Sequence, residues 1–169
     1  MALTTTLAVT LSTAYTKSAD WSTPVDSASF PFTGLTLLTG TGANQSDKEF
    51  HDRRTLAGGA NEALDLAGSL SDSFGSTLTY LRIKLMAIYN RGLVGDEILS
   101  IGGAAANQFT NWVGDVSDII KVRPGGALIL VAPDATAYAV TAGTGDQLKI
   151  ANAGAGSVDY DIYLIGSSV

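Results

Sequence analysis

The first part of the chain alternates between apolar and polar side chains. Its apolar members are Leu3, Leu7, Val9 and Leu11, and threonine or serine residues occupy most of the positions between them. A period of two, in which side chains point alternately to opposite faces, is typical of a strand that buries one face. We therefore predict that the chain opens with a half-buried β-strand.

A similar alternation returns from residue 61 onward, in short segments separated by Gly, Pro, Asn or Asp. In residues 80–89 it places Leu81, Ile83, Leu85 and Ala87 on one face, with Arg82 and Lys84 opposite. The β-branched and aromatic residues of this segment favour a strand over a helix. The other strands predicted in this way are residues 63–66, 97–101, 119–122, 127–131, 138–141, 147–151 and 159–165.

The number and spacing of these segments predict the fold class. About nine short strands, separated by turns at roughly 8–12-residue intervals, are typical of a sandwich or barrel. No stretch carries a helical period over more than two turns. We predict an all-β protein in which residues 1–169 form one two-sheet antiparallel β-sandwich domain with jelly-roll connectivity.

Residues 13–60 depart from this regular pattern. Pro24 and Pro31 interrupt strand pairing, and Gly, Asn and Asp residues in 40–47 mark a loop. We predict a long irregular excursion with one or two short strands, which can serve as an arm that reaches a neighbouring subunit. Its apolar side chains either pack on the core or contact a partner, and the candidate contacts are Trp21, Phe30 and Phe32.

The charged fraction is low for a soluble domain. Charged residues make up 15% of the chain, against about 25% in typical domains, and apolar residues make up 46%. A solitary molecule with so few charges has little solubilising surface. Two explanations remain open: partner subunits cover part of the surface, or the surface is neutral and rich in Thr and Ser.

Charge and cysteine content exclude several classes of partner. The net charge of −6 argues against nucleic acid, because affinity for the phosphate backbone comes largely from Lys and Arg. No segment approaches the roughly 18–20 apolar residues that cross a bilayer, so we predict no membrane partner. Residues 1–16 lack the basic start of a signal peptide. With no cysteine, the composition fits a protein made in a reducing cytoplasm.

Candidate catalytic and metal-binding residues are sparse. His51 is the only histidine, and Asp52 beside it does not make a triad without a nucleophile and a pocket. The neighbouring Arg53 and Arg54 fit a solvated loop as well as an anion site. Turn glycines at 102–103 and 125–126 match no phosphate-binding pattern. We therefore predict no enzyme activity and no cofactor.

The sequence also contains candidate residues for a cation site and for a sugar-binding site. Carboxylates at Asp115 and Asp118, or at Asp159 and Asp161, are ligands suited to a hard cation, but their spacing is not that of a calcium loop. We predict no metal site. Aromatic side chains such as Trp21 and Trp112 offer a platform for sugar rings, with core packing as the alternative role.

Four segments of the chain carry a resemblance to known proteins: RRTLAGGANEALDLAGSLSD at 53–72, IIKVRPGGALILV at 119–131, APDATAYAVTAGTGDQLKIANAG at 132–154 and VDYDIYLIGSS at 158–168. With these segments the chain resembles a group of tailed-bacteriophage virion proteins. These proteins are small β-sandwiches that decorate or cement the phage head. The resemblance covers about residues 53–168 and consists of strands and turns rather than a catalytic motif.

The resemblance implies a non-enzymatic virion protein. It implies a jelly-roll-like decoration or cement protein that assembles as a homotrimer where major capsid protein subunits meet, in a particle assembled in the host cytoplasm. No functional residue carries over. The alternative hypothesis is a receptor- or carbohydrate-binding module of a phage tail fibre or baseplate.

Overall fold

The computed structural model describes residues 2–30, 32 and 34–169. All regular secondary structure in this part of the chain is β-strand, which confirms the predicted all-β class. The same residues include no helix with the length and hydropathy needed to cross a membrane.

Fourteen strands follow one another along the described residues. In chain order they are β1 (Thr5–Leu7), β2 (Ser12–Thr16), β3 (Val25–Ser29), β4 (Leu35–Thr39), β5 (Gln45–Ser46), β6 (Lys48–Leu56), β7 (Asn61–Asp65), β8 (Arg82–Asn90), β9 (Leu99–Gly102), β10 (Ile119–Val122), β11 (Ala127–Val131), β12 (Tyr138–Ala139), β13 (Gln147–Asn152) and β14 (Val158–Ser167).

Two antiparallel sheets form the body of the protein. One has the order β11-β8-β14-β6, with β12 also paired to β8, and the other has the order β10-β9-β13-β7. The core lies between them, where Met86 and Leu164 from the first sheet belong to the same buried cluster as Ile101 and Ile150 from the second. Alternation along each strand produces this arrangement, because every second side chain faces the opposite sheet. The predicted two-sheet antiparallel sandwich is confirmed.

The chain passes from one sheet to the other at almost every connection. Leaving out the short β12, the strands from β6 to β14 alternate between the sheets, and the exception is the step from β9 to β10, which are neighbours in one sheet. The first and last strands of this set, β6 and β14, lie side by side over nine residue pairs from Val158↔Leu56 to Gly166↔Lys48.

A small third sheet, β1-β4-β5, covers part of the sandwich. It packs on the outer face, which we define as the face of the β11-β8-β14-β6 sheet that points away from the core. Leu37 of β4 forms a second buried cluster there with Leu85 and Ile165. The fully buried Lys84 connects the sandwich to the β4–β5 loop. Its Nζ donates to the carbonyl oxygen of Thr41 at 3.4 Å and to that of Gly42.

The predicted faces of β8 are wrong at one point. Ile83 belongs to the main core, whereas Leu85 belongs to the cluster on the outer face. The pairing with β14 shifts between Ile165 and Gly166, so that β8 contains an extra residue at Lys84. Such a bulge reverses the side-chain parity on its far side, and it buries a lysine that we predicted to lie opposite the apolar face.

Close approach of the two strands explains the glycine at this bulge. A Cβ atom added to Gly166 would lie 2.0 Å from the carbonyl oxygen of Arg82. No side chain fits in that space.

The N-terminal third is more regular than predicted. Residues 13–60 contain most of β2 and all of β3 to β6, rather than one or two short strands. The predicted opening strand stops at Leu7, and Leu11 is exposed. Arg53 and Arg54, whose sequence fits a solvated loop as well as an anion site, lie on the nine-residue β6 at the edge of its sheet. Charged side chains protect such edges from pairing with other chains.

Candidate interaction surfaces

A β-hairpin projects from the body near the N-terminus. We call residues 10–30 the arm. Its strands β2 and β3 are paired with each other and with no other described strand. Every residue of the arm is exposed. The strands are joined by a turn in which the Ala19 N–H donates to the Ser22 carbonyl oxygen at 2.9 Å.

The two faces of the arm differ in chemistry. Thr13 lies opposite Ala28 and Tyr15 lies opposite Asp26, and the Phe30 N–H donates to the Leu11 carbonyl oxygen at 2.9 Å. Since opposed residues share a face and neighbours alternate, one face of the arm carries the large apolar side chains Leu11, Tyr15 and Phe30, together with Thr13, Asp26 and Ala28. The other face carries Ser12, Ala14, Thr16, Val25, Ser27 and Ser29.

The three side chains proposed as partner contacts lie at the two ends of the arm. Trp21 lies in the connection between the strands and is 100% exposed. Phe30 is at the base, half-exposed, and stacks on Phe32 with 6.4 Å between ring centroids. The structure therefore brings Phe30 and Phe32 together but separates both from Trp21. Their contact with a partner stays a prediction.

Part of the outer face is also uncovered. Beyond the area under the small sheet, Tyr89, Ile129 and Tyr163 remain 41%, 43% and 48% exposed. They lie on adjacent strands, since Ala87 of β8 is paired with both Ile129 and Tyr163. We call these three residues and Ala87 the open half of the outer face. Exposed aromatic side chains in one area are typical of interaction surfaces.

Charged residues border the open half of the outer face. The Arg53 Nε–H donates to Asp161 at 2.7 Å, and the Arg91 guanidinium donates to the other oxygen of that carboxylate at 3.0 Å. The hydrogen bond from Arg53 is the main reason why the pKa of Asp161 is lowered. Arg91 also lies 5.9 Å from the ring centroid of Tyr89.

The surroundings of His51 differ from those of a catalytic histidine. It lies on the edge strand β6, and its ring stacks on Tyr163 with 5.4 Å between centroids. Its Nε2 is 3.1 Å from Ser73 Oγ and 3.9 Å from Glu49 Oε1. In a triad, the hydroxyl and the carboxylate contact different ring nitrogens. Here both contacts use the same nitrogen, at an exposed position.

The paired aspartates bond to the protein itself. Asp118 accepts the backbone N–H groups of Gly114 and Asp115, and Asp115 accepts that of Ser117, which lowers the pKa of Asp115. Asp159 accepts the hydroxyl of Thr55 at 2.6 Å. In the part of the chain that the structure describes, no three His, Asp or Glu side chains are grouped to hold a metal ion.

The two tryptophans do not form a common platform. Trp112 is half-buried against the main core, and its indole N–H donates to the Phe109 carbonyl oxygen at 2.9 Å. Trp21 lies on the arm. The core-packing alternative therefore describes Trp112 but not Trp21.

The edge strands of the two main sheets differ in the number of charged residues that they carry, and the sequence analysis did not predict this difference. The edge strand β6 carries several charges, β7 carries Glu62 and Asp65, and β10 carries Lys121. The edge strand β11, with the sequence ALILV, carries none. The lack of charge is visible in the sequence, but only the topology shows that this strand lies at an edge.

Comparison with known proteins yields no relative. No protein-family model matches the chain, and no curated protein or solved structure shows significant similarity to it.

Proposed function

We propose that this protein is a non-enzymatic structural subunit of a bacteriophage virion. In this proposal it is a head decoration or cement protein that forms a homo-oligomer, a trimer, and stabilises the head by bridging major capsid protein subunits. It is assembled in the host cytoplasm and resides in the virion. The observation that carries the proposal is the arm, a formed hairpin in which every residue is exposed.

The low stability of isolated hairpins supports an arm that is covered by another subunit. A two-stranded hairpin alone is marginally stable in water, because it buries too little apolar surface to offset the entropy of ordering it. This arm also exposes Tyr15 by 70% and Trp21 completely. A protein keeps such a segment ordered most readily by docking it on another subunit.

The body of the protein offers further uncovered surface. Tyr89, Ile129 and Tyr163 lie together on the open half of the outer face. A specific interface needs roughly 800 Å² per partner and about 20–30 residues a side. The 21 residues of the arm and the four of the open half make 25, which lies within that range of residue numbers, and the 15% charged fraction agrees with extensive coverage.

The strand order supports the jelly-roll connectivity in this proposal. A jelly roll consists of eight strands in two sheets, built from two Greek keys. The sheets β6-β14-β8-β11 and β7-β13-β9-β10 contain eight strands, with the first and last of them adjacent. This architecture gives a rigid body from which an arm can extend.

A second candidate function rests on Trp21 alone. A fully exposed indole suits the stacking of a sugar ring, as expected of a receptor- or carbohydrate-binding module in a tail fibre or baseplate. A Trp21→Ala variant tests it on a glycan array. Binding that this variant loses would favour recognition over cementing.

The cement proposal is tested on particles. Mass spectrometry of purified virions from cells that make this protein should detect it, and an antibody against the body should label heads rather than tails. Heads that lack the protein should release their DNA at a lower temperature, and added purified protein should restore their resistance.

A matched variant ties that result to the arm. With residues 12–29 replaced by a short Gly-Ser linker, the body keeps all of its core residues, since none of those replaced is buried. This variant should melt like the full chain but fail to restore the heads. Absence of the protein from virions, together with a monomeric mass near 17.4 kDa in light scattering, would contradict the proposal.

A further inference from the structure

The β11 edge is open to strand pairing. Its residues Ala127–Val131 are exposed or half-exposed, and they carry no charge. Proteins usually protect an edge strand with charged residues, a proline or a covering segment. The outer strands β6, β7 and β10 of the two main sheets carry charges, whereas the two-residue β12, which pairs with β8 on the same side as β11, carries none. An unprotected apolar edge is a site for addition of a strand from another chain.

The register shows which backbone groups of β11 are available. The Asn90 N–H donates to the Gly126 carbonyl oxygen, and the Ala132 N–H donates to that of Lys84, both at 2.9 Å. Antiparallel pairing alternates, so the groups of Leu128 and Leu130 also point toward β8. The N–H and C=O groups of Ala127, Ile129 and Val131 therefore point away from it.

The arm offers backbone groups of the same kind. Residues at odd positions of β2 bond across the hairpin, as the Phe30-to-Leu11 and Lys17-to-Pro24 hydrogen bonds show. The groups of the intervening residues point outward on both edges of the hairpin. These residues are Ser12, Ala14 and Thr16 on β2, and Val25, Ser27 and Ser29 on β3. All of them are uncharged, so neither edge of the arm is protected.

We propose that the arm of one copy adds, antiparallel, to the β11 edge of a second copy. This inference rests on the proposed function, because both require several copies to assemble. When Ala14 or Ser27 lies opposite Ile129, the small residues of the arm share the outer face with Ile129.

The same register places the large side chains on the inner side of the sheet. With Ala14 opposite Ile129, Tyr15 lies opposite Leu128 and Thr13 lies opposite Leu130. Both leucines are half-buried and pack against the main core. Strand addition thus continues the core of the receiving copy and covers the apolar face of the donated arm.

A second copy is the occupant that we infer, because the arm stands clear of its own body. All of its residues are exposed, and its root lies where Leu7 and Leu35 pack on the outer face, a layer above the sheet that contains β11. If each copy donates one arm and accepts one, and the rotation between copies closes, the contacts form a ring with no unpaired β11 edge.

Engineered cysteines test the contact directly, since the chain has none of its own. We would prepare Ala14→Cys, Ser27→Cys and Ile129→Cys as separate proteins, and mix Ile129→Cys with each arm variant under mild oxidation. Disulfide-linked dimers of the two different variants are expected in at least one mixture. A double variant carries Ile129→Cys and one of the arm cysteines in the same chain. If this variant cross-links within its own chain and neither mixture forms dimers, the arm folds back on its own body and the proposal is overturned.

Proline substitutions test the pairing itself. Ile129→Pro removes an N–H that points away from β8, so the body retains its own ladder. It should raise the dissociation constant of the oligomer by roughly tenfold or more, while Ile129→Val leaves it unchanged. Ala14→Pro and Ser27→Pro lie outside the body and show which edge of the arm pairs, whether or not Ile129→Pro folds.

The outcomes separate this inference from the proposed function. Oligomers of unchanged affinity in all three proline variants, with no cross-link in either mixture, would overturn the arm contact and leave a virion subunit that assembles by another surface. A chain that is absent from virions and monomeric would contradict both.

Discussion

Replacing Lys84 with methionine should loosen the small sheet from the body. The Lys84 side chain is fully buried at the β8 bulge, and its ammonium group donates to the carbonyl oxygens of Thr41 and Gly42 in the β4–β5 loop. Methionine has a similar length and fills the same space without a donor. Both carbonyl groups then lose their hydrogen-bond partner in the sandwich, while the loop keeps the hydrogen bond from the Asn44 N–H to the Pro133 carbonyl oxygen at 2.7 Å.

The expected cost follows from those two contacts. A hydrogen bond that involves a charged group contributes about 1.5–3 kcal/mol. Thr41 and Gly42 are half-exposed, so water replaces part of the loss, and removing a buried charge recovers part of its desolvation cost. We expect the free energy of unfolding to fall by about 1–2 kcal/mol, which corresponds to a melting temperature lower by about 2–8 °C.

Urea unfolding at pH 7 measures this change, and amide hydrogen exchange locates it. Exchange in residues 40–46 should accelerate, whereas exchange in β9 and β13 should not. Lys121→Met is the matched control, because Lys121 is exposed on β10 and its loss should change stability by less than about 0.5 kcal/mol. Equal stability and equal exchange in Lys84→Met and the unmodified protein would refute the anchoring role.

The stability of the unmodified protein and that of Lys84→Met should depend differently on pH, and the sign of the difference follows from the pKa of Lys84. Burial lowers the pKa of Lys84 below its ordinary value of 10.5, so the unfolded chain binds more protons between the two values. Stability of the unmodified protein therefore gains from rising pH in that window. Lys84→Met lacks this gain, and the stability difference between the two proteins should widen as pH rises toward 10.5.

Three further predictions concern single contacts. Gly166→Ala should destabilise the protein by about 1–3 kcal/mol or more in urea unfolding, because its Cβ would lie 2.0 Å from the Arg82 carbonyl oxygen; an unchanged midpoint would rule out the close approach. Asn152→Ala should cost about 2–4 kcal/mol by the same assay, since the buried amide of Asn152 donates to three carbonyl oxygens; a loss below that of an exposed Asn→Ala change would contradict this. The stabilising contribution of Asp161, whose pKa is lowered by Arg53, is present above the ordinary value of 3.8 and is lost as pH falls through the lower folded pKa. Asp161→Asn should accordingly be less stable than the unmodified protein at pH 7 and equal to it in strong acid, and a difference that persists in acid would argue against the ion pair.

The second half of the fold was predictable from local patterns. Residues 127–131 and 119–122 coincide with β11 and β10, and the predicted 147–151 and 159–165 lie within β13 and β14. Here one face of each strand meets the core and the turns contain Gly or Pro, so alternation and turn chemistry agree. The N-terminal third was less predictable, because the arm buries no face and β6 carries the charges of an edge.

The candidate surfaces were only partly predictable. The sequence suggested an arm with Trp21, Phe30 and Phe32 as contacts. The structure places Trp21 and Phe30 on the arm and stacks Phe32 on Phe30, and their binding to a partner stays a prediction. The open edge at β11 depends on which strands are neighbours in the sheet. The sequence of residues 127–131 would look the same in an edge strand as in a central strand.

What the amino-acid sequence determined by itself is the all-β class, because the period of two is a property of each strand's own backbone. What only the tertiary structure decided is the parity change at Lys84, the edge position of β6 and β11, and the projection of the arm. Each of these depends on pairing between residues far apart in the chain, such as Gly166 with Ile83. Whether a side chain is buried depends on the strand that packs over it, and the local sequence pattern does not identify that strand.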